Sequence, residues 1–294
     1  MKSDRRYWAH IGIAIFISLV ITFIGTLIVF SYQQTQSYLH PARQPVSDDL
    51  LSTYGIEPQH LELITEDNVK LAAWYTPPQN GAVILVAHGL GEMRSQNYHL
   101  LFARNGYGVL AWDFRAHGES GGEFSSIGYY EILDVRAALD YVLAQPDVEH
   151  IGAWGGSMGA VTMIRATAQY PEIEALVADS PFATLDEEMN LRIPLPAMRP
   201  LIRFFGERAT GVSFDMVRPI DDIAKISPRP VFIIQGLEDA MVPSDSAQLL
   251  YDAAGEPRQI WLEEGVGHLG MFFNNEKRYT REVIKFFDKY LLGR

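Results

Sequence analysis

Residues 151–161, IGAWGGSMGAV, place four glycines around one serine. Gly155, Gly156, Ser157, Met158 and Gly159 fit G-x-S-x-G, the spacing that exposes a serine hydroxyl on a sharp strand-to-helix turn. Such a hydroxyl attacks an acyl carbon only when a base takes its proton, and the base needs an orienting acid. Of the eight histidines, only His268 follows the serine; it lies in the glycine-rich stretch EEGVGHLGMF. Asp239, in QGLEDAMVP, sits just beyond an apolar run, at the strand end where ligand and catalytic groups gather in open α/β sheets. The order Ser157, Asp239, His268 is the Ser…acid…His order that accompanies this turn. Asp179, at the end of IEALVADS, is an alternative acid. Glu238 is a lesser one, because adjacent turn residues point apart.

Acyl transfer also needs two N–H donors facing the developing oxyanion. One is expected from Met158, directly after the serine, and the other from Leu90 in HGLGEM. Gly89 and Gly91 let that loop bend close to a substrate. His88 reads as a structural hydrogen-bonding residue.

These groups need elements to hold them. From residue 60 onward, apolar runs alternate with helical patterns, the signature of parallel βαβ units. HLELITEDNVKLAAWYTPP predicts two strands joined at Glu66-Asp67-Asn68. AVILVAHG and GYGVLAWDF predict buried strands, with a helix from about Tyr98 to Arg104 between them. Ile132, Val135, Leu139 and Val142 stand at helical spacing, and HIGAW predicts the next strand. That strand ends at Trp154, the serine turn follows, and MGAVTMIRATAQY predicts a helix stopped before Pro171. Gly155 and Gly159 remove side chains where the turn is crowded. Beyond IEALVADS, residues 182–228 are proline-broken and mixed, and predict a small cap insertion. PVFIIQG, a helix near Asp245 to Ala253, QIWLEE and a helix through Tyr279, Val283, Phe287 and Tyr290 complete the pattern.

HGLGE, WDFRAHGESGG, GGSMG, GLEDAMVP and GVGHLG stand in the order and spacing of the α/β-hydrolase fold. From about residue 60 to 292 the chain resembles membrane-tethered hydrolase-domain proteins grouped with serine aminopeptidases and small esterases. The resemblance implies a mostly parallel central sheet flanked by helices, with a small cap. It implies catalytic Ser157, Asp239 and His268, an oxyanion pair Leu90 and Met158, and hydrolysis of an ester, thioester or amide. Asp113 and Arg115 in the DFRAHGESGG loop are expected to be structural.

Composition agrees and excludes other classes. The 294 residues are 48% hydrophobic, enough to fill one large α/β core. A net charge of −12 argues against nucleic acid as a partner, since phosphate binding needs a basic footprint. No cysteine is present, which removes thiol chemistry and disulfides. No metal cluster or nucleotide loop is evident, so no cofactor is expected, and the partner is a small acyl or peptide substrate.

The N-terminal residues differ in kind. Residues 11–30, IGIAIFISLVITFIGTLIVF, carry no charge. At about 1.5 Å per residue, twenty residues reach across about 30 Å of hydrocarbon. Tyr7, Trp8 and Tyr32 flank the run as interfacial aromatics do. The run is longer than a signal peptide's apolar region, and no small-x-small triplet closes it. It therefore reads as a single-pass anchor, with a signal peptide cleaved near Thr35-Gln36-Ser37, several residues beyond the run, as the alternative. Lys2, Arg5 and Arg6 before it predict a cytoplasmic N-terminus and an extracytoplasmic domain. The predicted organisation is residues 1–10 cytoplasmic, 11–30 transmembrane, 31–59 a polar linker, and 60–294 the hydrolase domain.

An esterase is the expected activity, with a serine aminopeptidase as the alternative. Met93, Leu191, Ile193, Leu195, Met198, Phe204, Phe205 and Met241 are candidates for an apolar acyl site or for cap packing. An aminopeptidase needs an anion for the substrate amine, which Glu187 or Glu188 offers. A membrane-tethered scaffold without catalysis is the reading from another class, because a fold alone does not establish activity.

Overall fold

A computed structural model describes residues 2–193, 195–243 and 245–294; the side chains of residues 2–5, including Lys2 and Arg5, lie outside the description. Eight strands make one sheet: β1 (Gln59–Ile64), β2 (Lys70–Thr76), β3 (Ala82–Ala87), β4 (Gly108–Trp112), β5 (His150–Gly156), β6 (Ala175–Asp179), β7 (Val231–Gly236) and β8 (Arg258–Glu263). Their order is β1-β2-β4-β3-β5-β6-β7-β8. The β1–β2 and β2–β4 pairs are antiparallel, and the rest are parallel.

The helices are α1 (Lys2–Leu39), α2 (Asp49–Thr53), α3 (Gln96–Ala103), α4 (Glu131–Leu143), α5 (Met158–Gln169), α6 (Leu185–Arg192), α7 (Arg199–Thr210), α8 (Pro219–Asp222), α9 (Ser246–Ala253), α10 (Gly270–Asn274) and α11 (Glu276–Leu291). Alternation in β3 explains why they cover both faces of the sheet. Val83, Leu85 and Ala87 enter a core shared with Val135 and Leu139 of α4 and Val161 of α5. Ala82, Ile84 and Val86 enter a second core with Phe102 of α3 and Val283 and Phe287 of α11. Each fully buried aliphatic or aromatic side chain contributes about 1.5–3 kcal/mol. A strand buried on both faces has to read as an unbroken apolar run, and AVILVA does. The mostly parallel α/β-hydrolase architecture expected from the sequence is present.

Residues 182–228 cover the C-terminal edge of the sheet with α6, α7, α8 and short 3₁₀ turns. Their interior is Met189, Ile193, Met198, Ile202 and Phe214.

The linker expectation needs correction. Helix α1 runs on to Leu39, and residues 31–39 lie against the cap instead of forming a free spacer. Ser31, Thr35 and Leu39 are buried at four-residue spacing, with Leu27 one turn earlier packed on the same core. Small residues explain the contact. Thr35 Cγ2 lies 3.9 Å from where a Cβ on Gly206 would stand, so the backbones of α1 and α7 approach closely. Tyr32 meets Phe205 edge to face, centroids 5.4 Å apart. Beyond the helix, the Ser125 N–H donates to Leu39 O at 2.8 Å, and Arg43 donates to Ser120 O at 2.8 Å.

Candidate active site

Strand β5 delivers Ser157 and α5 departs from it, as the glycine pattern predicts. Ser157 has φ 52° and ψ −117°, a strained combination that a non-glycine residue holds only when its surroundings fix it. The surroundings do so: a Cβ on Gly155 would overlap the Gly159 carbonyl, and one on Gly159 would overlap the Ala87 carbonyl. β5, α5 and β3 are therefore in backbone contact at the turn. The Ser157 N–H donates to Asp179 O at 2.8 Å, which ties the turn to β6.

His268 and Asp239 come together from two loops. His268 Nδ1 lies 2.7 Å from Asp239 Oδ2. The other oxygen, Oδ1, accepts from the N–H groups of Met241 at 2.8 Å and Val242 at 3.0 Å. An ionised carboxylate can only accept, so Nδ1 is the protonated nitrogen and Nε2 is left free to take a proton. The Asp239 side chain is fully buried, and that of His268 is 13% exposed. Leu269 carries the histidine loop to the serine turn: its side chain lies over Gly156, and its N–H donates to Ser180 Oγ at 3.2 Å. Among the described residues no hydrogen bond joins the Ser157 hydroxyl to His268. Such contacts often tighten only when substrate is bound.

Asp179 is occupied elsewhere. Its Oδ2 accepts from Tyr279 OH at 2.7 Å and its Oδ1 from Ser180 Oγ at 3.0 Å. Burial pushes this carboxyl up to about 6, opposed by those two hydrogen bonds. Glu238 is exposed, as its place in the turn predicts.

Leu90 and Met158 line one small cavity with Ser157. Among the described residues, neither backbone N–H has a hydrogen-bond acceptor. Two unsatisfied donors beside a candidate nucleophile are what an oxyanion site requires. His88 shapes this loop: Nδ1 donates to Gly89 O at 2.7 Å, and Nε2 accepts from the Phe114 N–H at 2.9 Å. Burial holds it well below the usual histidine range, so it stays neutral in this role. Asp113 pairs with Arg94 and accepts from the N–H groups of Arg94 and Glu119 at 2.8 and 2.9 Å. Arg115 bridges Asp134 and Asp67. Both belong to the scaffold, as expected.

The candidate acyl-site residues separate. Ile193 and Met198 are cap core. Leu191, Leu195, Phe204 and Met241 are exposed. Phe205 packs on Tyr32. Met93 lines a separate cavity of about 180 Å³ with His88, Trp154 and Leu269. The wall over Ser157 is instead Ile127, Phe182, Glu188, Met189 and Arg192. Glu188 pairs with Arg192, while its Oε2 has no partner among the described residues. Its side chain is 3% exposed, and burial raises its pKa against the pull of Arg192. Glu187 faces Thr184 at the start of α6. Ile127 escaped the sequence reading because its place is set by a buried carboxylate: Glu131 accepts from Ser125 Oγ, Ser126 N, Ser126 Oγ and Gly128 N at 2.6–2.9 Å.

A mostly parallel sheet with a strained serine turn at one strand end, a His–Asp pair from later loops and a helical cap defines a hydrolase class. The chain belongs to the α/β-hydrolase superfamily. Residues 78–223 match the family model described as serine aminopeptidase, S33. The YqkD protein of Bacillus subtilis is 31% identical over 225 residues, covering 72% of this chain and 73% of that one. WAV2 of Arabidopsis thaliana, an α/β-hydrolase domain-containing protein, is 27% identical over 294 residues, covering 90% and 91%. The crystal structure of an esterase from Pyrococcus furiosus superposes with a TM-score of 0.74 at 26% identity, over 86% of this chain and 98% of that one.

Proposed function

We propose that the protein is a membrane-anchored serine hydrolase that cleaves a carboxylic ester or thioester through an acyl-enzyme. The observation that supports this reading is the His268–Asp239 hydrogen bond, on a loop whose next residue, Leu269, packs over Gly156 beside the strained Ser157. In this reading His268 Nε2 takes the Ser157 proton as Oγ attacks the acyl carbon. Asp239 holds the ring and stabilises the imidazolium, and the N–H groups of Leu90 and Met158 receive the oxyanion. The imidazolium then protonates the leaving alcohol or thiol, and water repeats the cycle on the acyl-serine. The fold similarity to an esterase supports the ester preference.

A fluorophosphonate probe tests the assignment. Wild type should label covalently, and folded Ser157→Ala should not, with ester turnover reduced by several orders of magnitude. Turnover close to wild type in that variant would place the chemistry elsewhere, and an unlabelled wild type would favour the scaffold reading. Nitrophenyl esters of graded chain length then define the acyl group.

One observation favours a second reading, the aminopeptidase. The buried Glu188 carboxylate, with one oxygen free, lines the Ser157 cavity and suits an α-ammonium group. Aminoacyl anilides would then be turned over, and Glu188→Gln should lose that activity while keeping ester hydrolysis. Inert anilides remove this reading.

A further inference from the structure

We propose that the cap is seated in the interfacial layer of the bilayer that α1 crosses. A ridge formed by Leu195, Ala197, Pro200 and Phe204 reaches among the lipid headgroups and upper acyl chains. The inference rests on the reading of α1 as a membrane span.

The ridge is apolar and bare. Leu195 is 45% exposed and Phe204 60%, and Ala197 and Pro200 are exposed between them. Positions 197, 200 and 204 share one face of the turn leading into α7, while Met198, Ile202 and Gly206 face inward. Arg203, beside Phe204, is drawn off this face by Asp186, Asp215 and Glu207. Arg208, a turn beyond Phe204, is exposed at the polar end, where its guanidinium can reach lipid phosphate.

The height of the ridge follows from α1. Helix α1 lies against α7 and the turn at Pro196–Met198, and Leu27, inside the uncharged run 11–30, is packed on the main core to which this cap belongs. From Leu27 to the end of the run is three residues, about 4.5 Å of helix. A headgroup layer is about 5–8 Å thick on each side of the hydrocarbon. Any element packed on Leu27 is therefore level with the hydrocarbon boundary. Phe204 is tied to that level by ring contacts: its centroid is 5.5 Å from that of Phe205, which is 5.4 Å from that of Tyr32. A face held at this depth meets lipid, and an apolar face there costs nothing to expose. The same surface in water is the kind that marks an interaction site.

The absence of cysteine makes the test direct. Single variants Phe204→Cys and Leu195→Cys of the full chain carry a nitroxide label in vesicles of phosphatidylcholine with phosphatidylglycerol. Spin relaxation by oxygen reports lipid, and relaxation by a water-soluble nickel chelate reports solvent. Ile17→Cys in the span and Leu143→Cys, 46% exposed at the end of α4, are the references. The expected result is oxygen-dominated relaxation at residues 204 and 195, nearer to that of residue 17 than of residue 143. Nickel-dominated relaxation at 204 and 195, with residue 17 in lipid, overturns the inference and leaves the anchor standing. Nickel access at residue 17 overturns the anchor and the inference together. Spin–spin broadening at residue 204 with neither relaxant effective would mean that a second copy of the chain covers the ridge, which also overturns it.

Discussion

At Ser157 the backbone is strained, its neighbours are glycine by steric necessity, and the nearest competing acid already has two partners. The choice between the acids can be made by measurement. Asp239→Asn should lower ester turnover by about 10³–10⁴-fold, because the ring loses both its orientation and the partner for its charged form. Asp179→Asn should cost less than about tenfold, since that carboxyl touches Tyr279 and Ser180 and no reacting group. The reverse ranking, with both variants folded, would transfer the role. Asp179 has its own signature in stability. Its pKa rises from 3.8 unfolded to about 6 folded. Between these values the unfolded chain releases the proton that the folded protein keeps, so stability falls as pH rises. Relative to Asp179→Asn, wild type should lose about 2 kcal/mol from pH 4 to pH 6, part of about 3 kcal/mol in all whose loss levels off by about pH 7, read by urea denaturation at each pH. Ser157, Asp239 and His268 could be singled out as candidates from sequence because each sits at a glycine-marked loop after an apolar strand. Glu188 could not be singled out from Glu187, because two adjacent carboxylates on an acidic helix look alike until one of them is buried.

At the scale of elements, the apolar runs announced the strands because both faces of this sheet are covered. The flanking helices α3, α4, α5, α9 and α11 followed from spacing and from prolines, whereas the short helices of the cap did not. The docking of α1 on α7 left no such trace. It is made by Ser31, Thr35 and Gly206, residues whose contribution is their smallness, and a polar stretch with two prolines reads as a spacer under any apolar count. The docking has a measurable consequence for shortened chains. One beginning at Leu27 keeps the helix that packs on the cap and should unfold at nearly the full-length midpoint. One beginning at Pro45 strips Leu39, 3% exposed, from the cap core. That shorter chain should lose about 2–5 kcal/mol, the cost of emptying a buried leucine site, seen as a lower urea midpoint. Equal midpoints would mean that α1 rests on the cap without stabilising it.

For the whole molecule, Arg6–Leu39 is a helix long and apolar enough to cross a bilayer. As an anchor it should keep the full-length protein in membranes through high-salt and carbonate washing, since surface charge does not hold it. With the N-terminus cytoplasmic, protease added outside intact cells should reach the hydrolase domain; a domain protected until lysis would reverse the orientation. The sheet order also dictates when the protein can begin to work. Ser157 is fixed by β3, β5 and β6, whereas His268 arrives with the loop after β8, at the far edge of the sheet and more than a hundred residues later in the chain. If α1 is an anchor, during synthesis it reaches the membrane first and the strained serine turn follows. The proposed base emerges only when the last strand is made. On the proposed reading a nascent chain is thus tethered beside lipid while still inert, and a message cut short after Glu263 would lack both His268 and α11, whose Val283 and Phe287 close the second core over β5.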